Sequence, residues 1–280
     1  MNSTPPPGEH QRKGQSLTSL TDWREMAEVR VSPELVTKAV ASLFKWERSR
    51  KQSRDKMLLL EDDKLLYLVV ALKKASPDQN RTNPYQIPLP HPLFMLGDGA
   101  TQEICLFIDD RKGTKKKEAK QKLVEEGIAI AKVIPLSKLR TDYKSFEAKR
   151  KLCGSYDLFL ADKSVLPALP RVLGKIFFKK KKHPIPVDLR KKDWKKQIES
   201  ACGSTFLYIK GGTCSVVKVG RLSQSQEEVC ENVHAVISGV ASHIPKKWKN
   251  IKSLYLKTLE SVPLPLYQIL PDFPIKIGAE

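Results

Sequence analysis

Lysine dominates the chemistry this sequence offers. From Arg171 to Lys196 the chain carries Arg171, Lys175, Lys179, Lys180, Lys181, Lys182, Arg190, Lys191, Lys192, Lys195 and Lys196 against Asp188 and Asp193, with Pro184 and Pro186 breaking the run. Such an array repels itself unless a polyanion neutralises it, and phosphate is the anion that lysines meet as point charges. An exposed two-cluster array of this kind also suits nuclear import receptors. Lys115-Lys116-Lys117 and Lys246-Lys247-Trp248-Lys249 are lesser clusters that read equally well as solvated faces.

Groups that would support catalysis are not gathered into a pattern. His91, His183, His234 and His243 have no companion spacing of carboxylates or thiols that a metal or a hydrolytic triad would want. Asp62-Asp63 and Asp109-Asp110 sit at expected strand ends, where acidic residues serve turns and caps. Lys210-Gly211-Gly212-Thr213 lies between two apolar runs, so it reads as a turn rather than a phosphate loop, which would leave a strand and open a helix. Cys105, Cys153, Cys202, Cys214 and Cys230 are dispersed and never spaced C-x-x-C, which predicts reduced, mostly core thiols. No catalytic residue, metal site or cofactor is expected.

The wider composition agrees with a polyanionic partner. Fifty Lys and Arg against 31 Asp and Glu give a formal charge of +19 over 280 residues, while 40% hydrophobic content is enough for real cores. Collagen-like, fully disordered and small disulfide-stapled classes are excluded. No stretch approaches the ~18 apolar residues of a membrane span, and no apolar region follows Met1 to Gly14, so a soluble intracellular protein without membrane contact is expected.

Several elements would position these groups. Met1 to about Val31, opening with Pro5-Pro6-Pro7-Gly8, reads as a flexible arm. Ser32-Pro33 followed by Leu35, Val36, Ala39, Val40, Leu43 and Phe44 predicts an amphipathic helix. LLYLVVAL (Leu65 to Leu72) and Tyr85 to Leu89 read as strands. After Gly97-Asp98-Gly99, strand-like Ile104 to Ile108, helical Thr114 to Glu126, helical Leu136 to Leu152, strand-like Tyr156 to Leu160 and helical Lys163 to Leu173 predict an α/β unit with a parallel sheet. Phe206 to Ile209 and Ser215 to Val219 read as a β-hairpin about the glycine turn. Ser225-x-x-Glu228 caps a helix with Val229, Val233, Val236, Ile237, Val240 and Ile244 on one face, and Ile251 to Thr258 reads as a final strand.

Taken in order, LLYLVVAL, YQIPLPH, EICLFI, LGKIFFKKKKHPIP, GGTCSVVKVGRLS, EEVCENVHAVISGV and IKSLYLKT resemble the L-one family of large-subunit ribosomal proteins from about Ser32 to Tyr267, most closely its eukaryotic nucleolar branch of L-one domain-containing proteins. The resemblance implies an α/β fold of two domains: a discontinuous α/β sandwich (32–96 and 181–267) and an inserted Rossmann-like domain (97–180), with 1–31 as an arm and 268–280 as a tail. It also implies binding of structured RNA through the discontinuous domain near its last strand, which points to Ser253, Lys257 and Thr258. Ribosomal members follow that strand with Thr-Met-Gly, where this chain has Leu259-Glu260-Ser261.

The expected RNA contacts are Lys252, Ser253, Lys257 and Thr258 on the last strand, Lys210, Thr213, Lys218 and Arg221 in the glycine-turn motif, and Lys179, Lys180, Lys181 and Lys182 in the basic run. The expected function is non-enzymatic RNA binding in the nucleus and nucleolus, in ribosome biogenesis or its regulation. Expected partners are RNA, as structured rRNA or pre-rRNA or else mRNA, and pre-ribosomal particles, met by a monomer. Three other readings stand beside it: a protein-binding nucleolar scaffold, a structural large-subunit protein, and an enzyme using the inserted domain.

Overall fold

The computed structural model describes residues 30–54, 64–77, 81–94, 103–111, 116–209 and 211–269. Nearly all of the expected arm and tail, and the Gly97-Asp98-Gly99 boundary, lie outside the described residues.

Helix α1 (Pro33–Arg54) starts where the sequence predicts. Pro33 takes the first helical position, where its missing N–H costs nothing, and the Ser32 carbonyl accepts from the amides of Leu35 and Val36 at 3.1 and 3.3 Å. Val36, Val40 and Leu43 turn inward onto an antiparallel sheet. That sheet is ordered β10-β9-β1-β8, from β1 (Leu65–Leu72), β8 (Cys214–Arg221), β9 (Ile251–Lys257) and β10 (Leu264–Gln268). Strand alternation sends Leu66, Leu68, Val70 and Leu72 of β1 to the helix-covered core and leaves Tyr67, Val69 and Ala71 on the other face. The 3-10 turn Lys247–Asn250 leads into β9.

Helix α8 (Gln226–His243) covers the same side of the sheet. Its capping box is complete: the Ser225 hydroxyl accepts from the Glu228 amide at 3.2 Å and the Glu228 carboxylate from the Ser225 amide at 3.0 Å. Gly239 lets β2 (Tyr85–Pro88) cross this helix closely, because a Cβ there would fall inside contact distance of the Ile87 side chain. β2 pairs antiparallel with β7 (Ser204–Leu207) in a separate two-stranded sheet.

The second unit is a parallel sheet ordered β4-β3-β5-β6: β3 (Ile104–Ile108), β4 (Lys132–Pro135), β5 (Leu158–Asp162) and β6 (Ile185–Val187). Every residue of β3 and β5 is buried, as expected of parallel strands covered on both faces. Ile104, Leu106 and Ile108 face a core shared with α2 (Lys116–Glu125) and α7 (Trp194–Cys202), continuous with that of the antiparallel sheet. Cys105 and Phe107 face a separate core with α3 (Leu136–Thr141), α4 (Phe146–Ser155), α5 (Leu169–Leu173) and α6 (Lys175–Lys179). The α/β two-domain architecture is as expected.

Four local expectations are corrected. Phe206 to Ile209 and Ser215 to Val219 are not one hairpin: β7 pairs with β2 and β8 with β1, and the two strands are tied by the Thr205 hydroxyl donating to the Lys218 carbonyl at 2.7 Å. The single helix over Leu136 to Leu152 is two helices, broken before Ser145, whose hydroxyl caps α4 by accepting from the Ala148 amide at 3.2 Å. β10 forms beyond the strand read as final; Pro265 is tolerated because β10 is an edge strand. The parallel sheet takes its last strand from Ile185–Val187, beyond the expected end of the insertion at 180.

Candidate nucleic-acid interface

The open face of the antiparallel sheet brings three of the basic residues together. Tyr67 lies opposite Lys257 across one strand pair and opposite Lys218 across the other, so a lysine–tyrosine–lysine row crosses β9, β1 and β8. Direct antiparallel partners share a face, so all three side chains stand on the side away from α1 and α8. Lys181 comes over from the other unit, with its ammonium 4.1 Å from the centre of the Tyr67 ring.

Lys181 reaches that place because the backbone behind it is fixed. α6 ends as the amides of Lys180, Lys181 and Lys182 donate to the carbonyls of Ile176, Phe178 and Phe177 at 3.2, 3.2 and 3.0 Å. Phe177 is fully buried and packs edge-on to Phe159 at 5.0 Å. Lys181 adopts a left-handed backbone, φ 53°, which turns adjacent lysines to different tasks. The Lys182 ammonium donates to the carbonyls of Cys153 and Tyr156 at 3.1 and 2.7 Å, closing the C-terminus of α4. The four lysines expected to contact RNA therefore divide: Lys179 and Lys180 are exposed, Lys181 stacks and Lys182 caps a helix instead of facing a ligand.

Arg221 and Lys218 converge on Phe94. The Arg221 guanidinium is 4.7 Å and the Lys218 ammonium 5.7 Å from that ring, and Arg221 Nε donates to the Leu93 carbonyl at 2.6 Å. Burial, helped by the charges of Arg221, Lys182 and Lys181, pulls Lys218 down to about 8. Burial and then the Lys257 charge also lower Lys181.

Other expected contacts go elsewhere. Thr258 is fully buried; its hydroxyl donates to the Glu47 carboxylate at 3.2 Å and accepts from the Ser261 amide at 3.2 Å, so it ties α1 to the end of β9 instead of facing a ligand. Ser253 is buried as well. These two expectations are corrected: Thr258 is taken by Glu47, and Ser253, although it pairs with Ala71 on the open face, is buried. Lys252 is exposed at a bulge, where Ala71 pairs with Ser253 and Leu72 with Ile251. Thr213 is exposed in the turn before β8, and its carbonyl accepts from the Leu72 amide at 2.7 Å. Lys210 lies outside the described residues.

Tyr67 and Phe94 were not singled out from the sequence, although alternation in LLYLVVAL already separates Tyr67 from the core-facing leucines. His91, expected without carboxylate neighbours, meets Glu231 at 3.0 Å and Glu228 at 3.8 Å on the first turns of α8. Among the described residues no group of three His, Cys, Asp or Glu could hold a metal ion, and no helix is long and apolar enough to cross a membrane. Cys105, Cys153 and Cys202 are buried, and burial pushes the first and last up to about 12; Cys214 is exposed and Cys230 half-buried.

The Ribosomal protein L1p/L10e family profile matches residues 43–262. A mouse protein, Ribosomal L1 domain-containing protein 1, is 32% identical over 239 residues, 84% of this chain and 51% of its own length. A Schizosaccharomyces pombe protein whose name links it to ribosome biogenesis is 34% identical over 248 residues, 82% of this chain and 64% of its own length. Large ribosomal subunit protein uL1 of Entamoeba histolytica is 28% identical over 238 residues, 85% of this chain and 99% of its own length. The chain thus spans about half of the mouse relative and under two thirds of the yeast one.

Proposed function

The chain belongs to the ribosomal protein L1p/L10e family, and from that premise we propose that it is a non-enzymatic RNA-binding protein of ribosome biogenesis, acting on structured precursor rRNA in the nucleolus. The observation that carries the reading is the row of Lys257, Tyr67 and Lys218 on the open sheet face, with Lys181 above it and Arg221 beside it. Lysines on a rigid sheet supply phosphate contact, and the Tyr67 ring, only 6% exposed and covered by Lys181, holds them in register. The Schizosaccharomyces pombe relative named for ribosome biogenesis supports the process, and the exposed basic residues Arg190, Lys191, Lys192, Lys195 and Lys196 supply a patch of the kind import receptors take.

Crosslinking the protein to RNA in cells and sequencing what is attached tests this reading. Enrichment of precursor rRNA, with cosedimentation in precursor rather than mature large subunits, is expected. Crosslinks spread over RNA in proportion to abundance would contradict it.

A further inference from the structure

Tyr67 and Lys218 of the row, with Lys181, also line a cleft of about 310 Å³ between the two units. That is the low end of the ~300–1,000 Å³ typical of small-ligand pockets, room for one planar group with its phosphate and not for a helix. Four of its walls are aromatic: Tyr67, Phe94, Phe178 and Tyr208. His183 is wedged between Phe178 and Tyr208, with ring centres 5.1 and 5.0 Å away.

The polar groups of the cleft divide sharply. Hydroxyls of Ser204, Thr205 and Ser215 already donate to backbone carbonyls of Ser200, Lys218 and Tyr208 at 2.7, 2.7 and 3.2 Å. Among the described residues, the ammonium groups of Lys181 and Lys218 meet aromatic rings, and no described carboxylate lines the cleft. Half-buried cations without an anion are costly, and a phosphate would offset that cost. An acidic peptide would answer the charge but leave the aromatic walls unused.

We propose that this cleft takes one unstacked nucleotide, its phosphate on Lys181 and Lys218 and its base among the aromatic rings. The proposal rests on the RNA-binding reading and deepens it: the sheet face holds the backbone of structured RNA, and the cleft selects RNA that presents an unpaired nucleotide. Extruding a bulged nucleotide costs little, because it has no pairing to lose.

The test uses the full chain with two RNA hairpins of equal length, one fully paired and one with a single-nucleotide bulge carrying 2-aminopurine. The bulged hairpin is expected to bind about tenfold more tightly, the effect of one base–aromatic stack, with its fluorescence changing on binding. Phe94→Leu, which keeps apolar bulk but removes the ring, should erase most of that preference. Lys218→Met should also lower the preference. Adenosine monophosphate at millimolar concentration competing with the bulged hairpin but not the paired one would support the same chemistry for a free nucleotide. Equal binding of both hairpins by the unaltered chain would overturn the nucleotide cleft and leave RNA binding standing. Binding of neither would instead sink the RNA reading itself. Displacement of the bulged hairpin by polyglutamate at equal charge, without displacement by the mononucleotide, would overturn the proposal in favour of an acidic peptide.

Discussion

Thr258 donates its hydroxyl to the carboxylate of Glu47 across 211 residues of chain, in a buried spot where Lys64 meets the other carboxylate oxygen at 3.0 Å. Glu47 is only 3% exposed, so its charge is tolerated because both partners are present. Thr258→Val should destabilise the fold by about 1–3 kcal/mol in thermal or urea unfolding, since two buried hydrogen bonds are lost. Glu47→Ala should cost about 1–3 kcal/mol, because the Thr258 hydroxyl loses its buried acceptor and Lys64 keeps only Glu260, at 3.6 Å. RNA affinity of the Thr258→Val protein, measured well below its unfolding temperature, should stay unchanged.

Gly239→Ala should destabilise by about 1–3 kcal/mol, because the added methyl overlaps Ile87 where β2 crosses α8. Combining it with Ile87→Ala should lose less than the sum of the two single changes, as read from a double-mutant cycle in urea.

Neighbouring lysines should respond differently. Lys182→Gln should lower the unfolding temperature, because the carbonyls of Cys153 and Tyr156 lose their donor. Lys179→Gln with Lys180→Gln should leave stability unchanged, weaken all RNAs alike and flatten the plot of log K against log salt by about 1.4–1.8 if each meets one phosphate.

The depressed Lys218 makes a pH prediction. An unfolded lysine titrates near ~10.4, so between about pH 8 and about pH 10 the unfolded chain binds the extra proton, and this residue's contribution to stability rises with pH. Buried Tyr208, raised by desolvation, and the raised thiols of Cys105 and Cys202 act in the opposite sense, so the comparison must be with a variant. Lys218→Met should be more stable than the unaltered chain at pH 7, by on the order of 2 °C, and that advantage should shrink as pH approaches 10. A gap independent of pH would show that Lys218 does not titrate in this range.

Apolar patterning made most of the fold legible. The strand runs LLYLVVAL and ICLFI, the Ser32-Pro33 start and the Ser225 capping box all report local chemistry that survives into the structure. What stayed hidden depends on contacts distant in sequence: β7 chooses β2 over β8, and Pro265 sits in a strand because that strand is an edge. The site was legible as charge but not as arrangement. Lys181 and Lys182 are indistinguishable in sequence, yet a left-handed turn gives one to Tyr67 and the other to a helix end. Thr258, placed on the RNA by resemblance, is taken by Glu47. Tyr67 was visible in the alternation of β1, but its partners Lys218 and Lys257 come from strands far along the chain.

The most direct measurement compares the unaltered chain with a Lys181→Glu, Lys257→Glu double variant in binding to structured RNA across a salt series, with circular dichroism confirming that both are folded. Two phosphate contacts should be lost, flattening the slope of log K against log salt by about 1.4–1.8, and affinity near physiological salt should fall at least about tenfold. An unchanged slope and affinity in the folded variant would contradict the assignment of the open sheet face as the RNA surface.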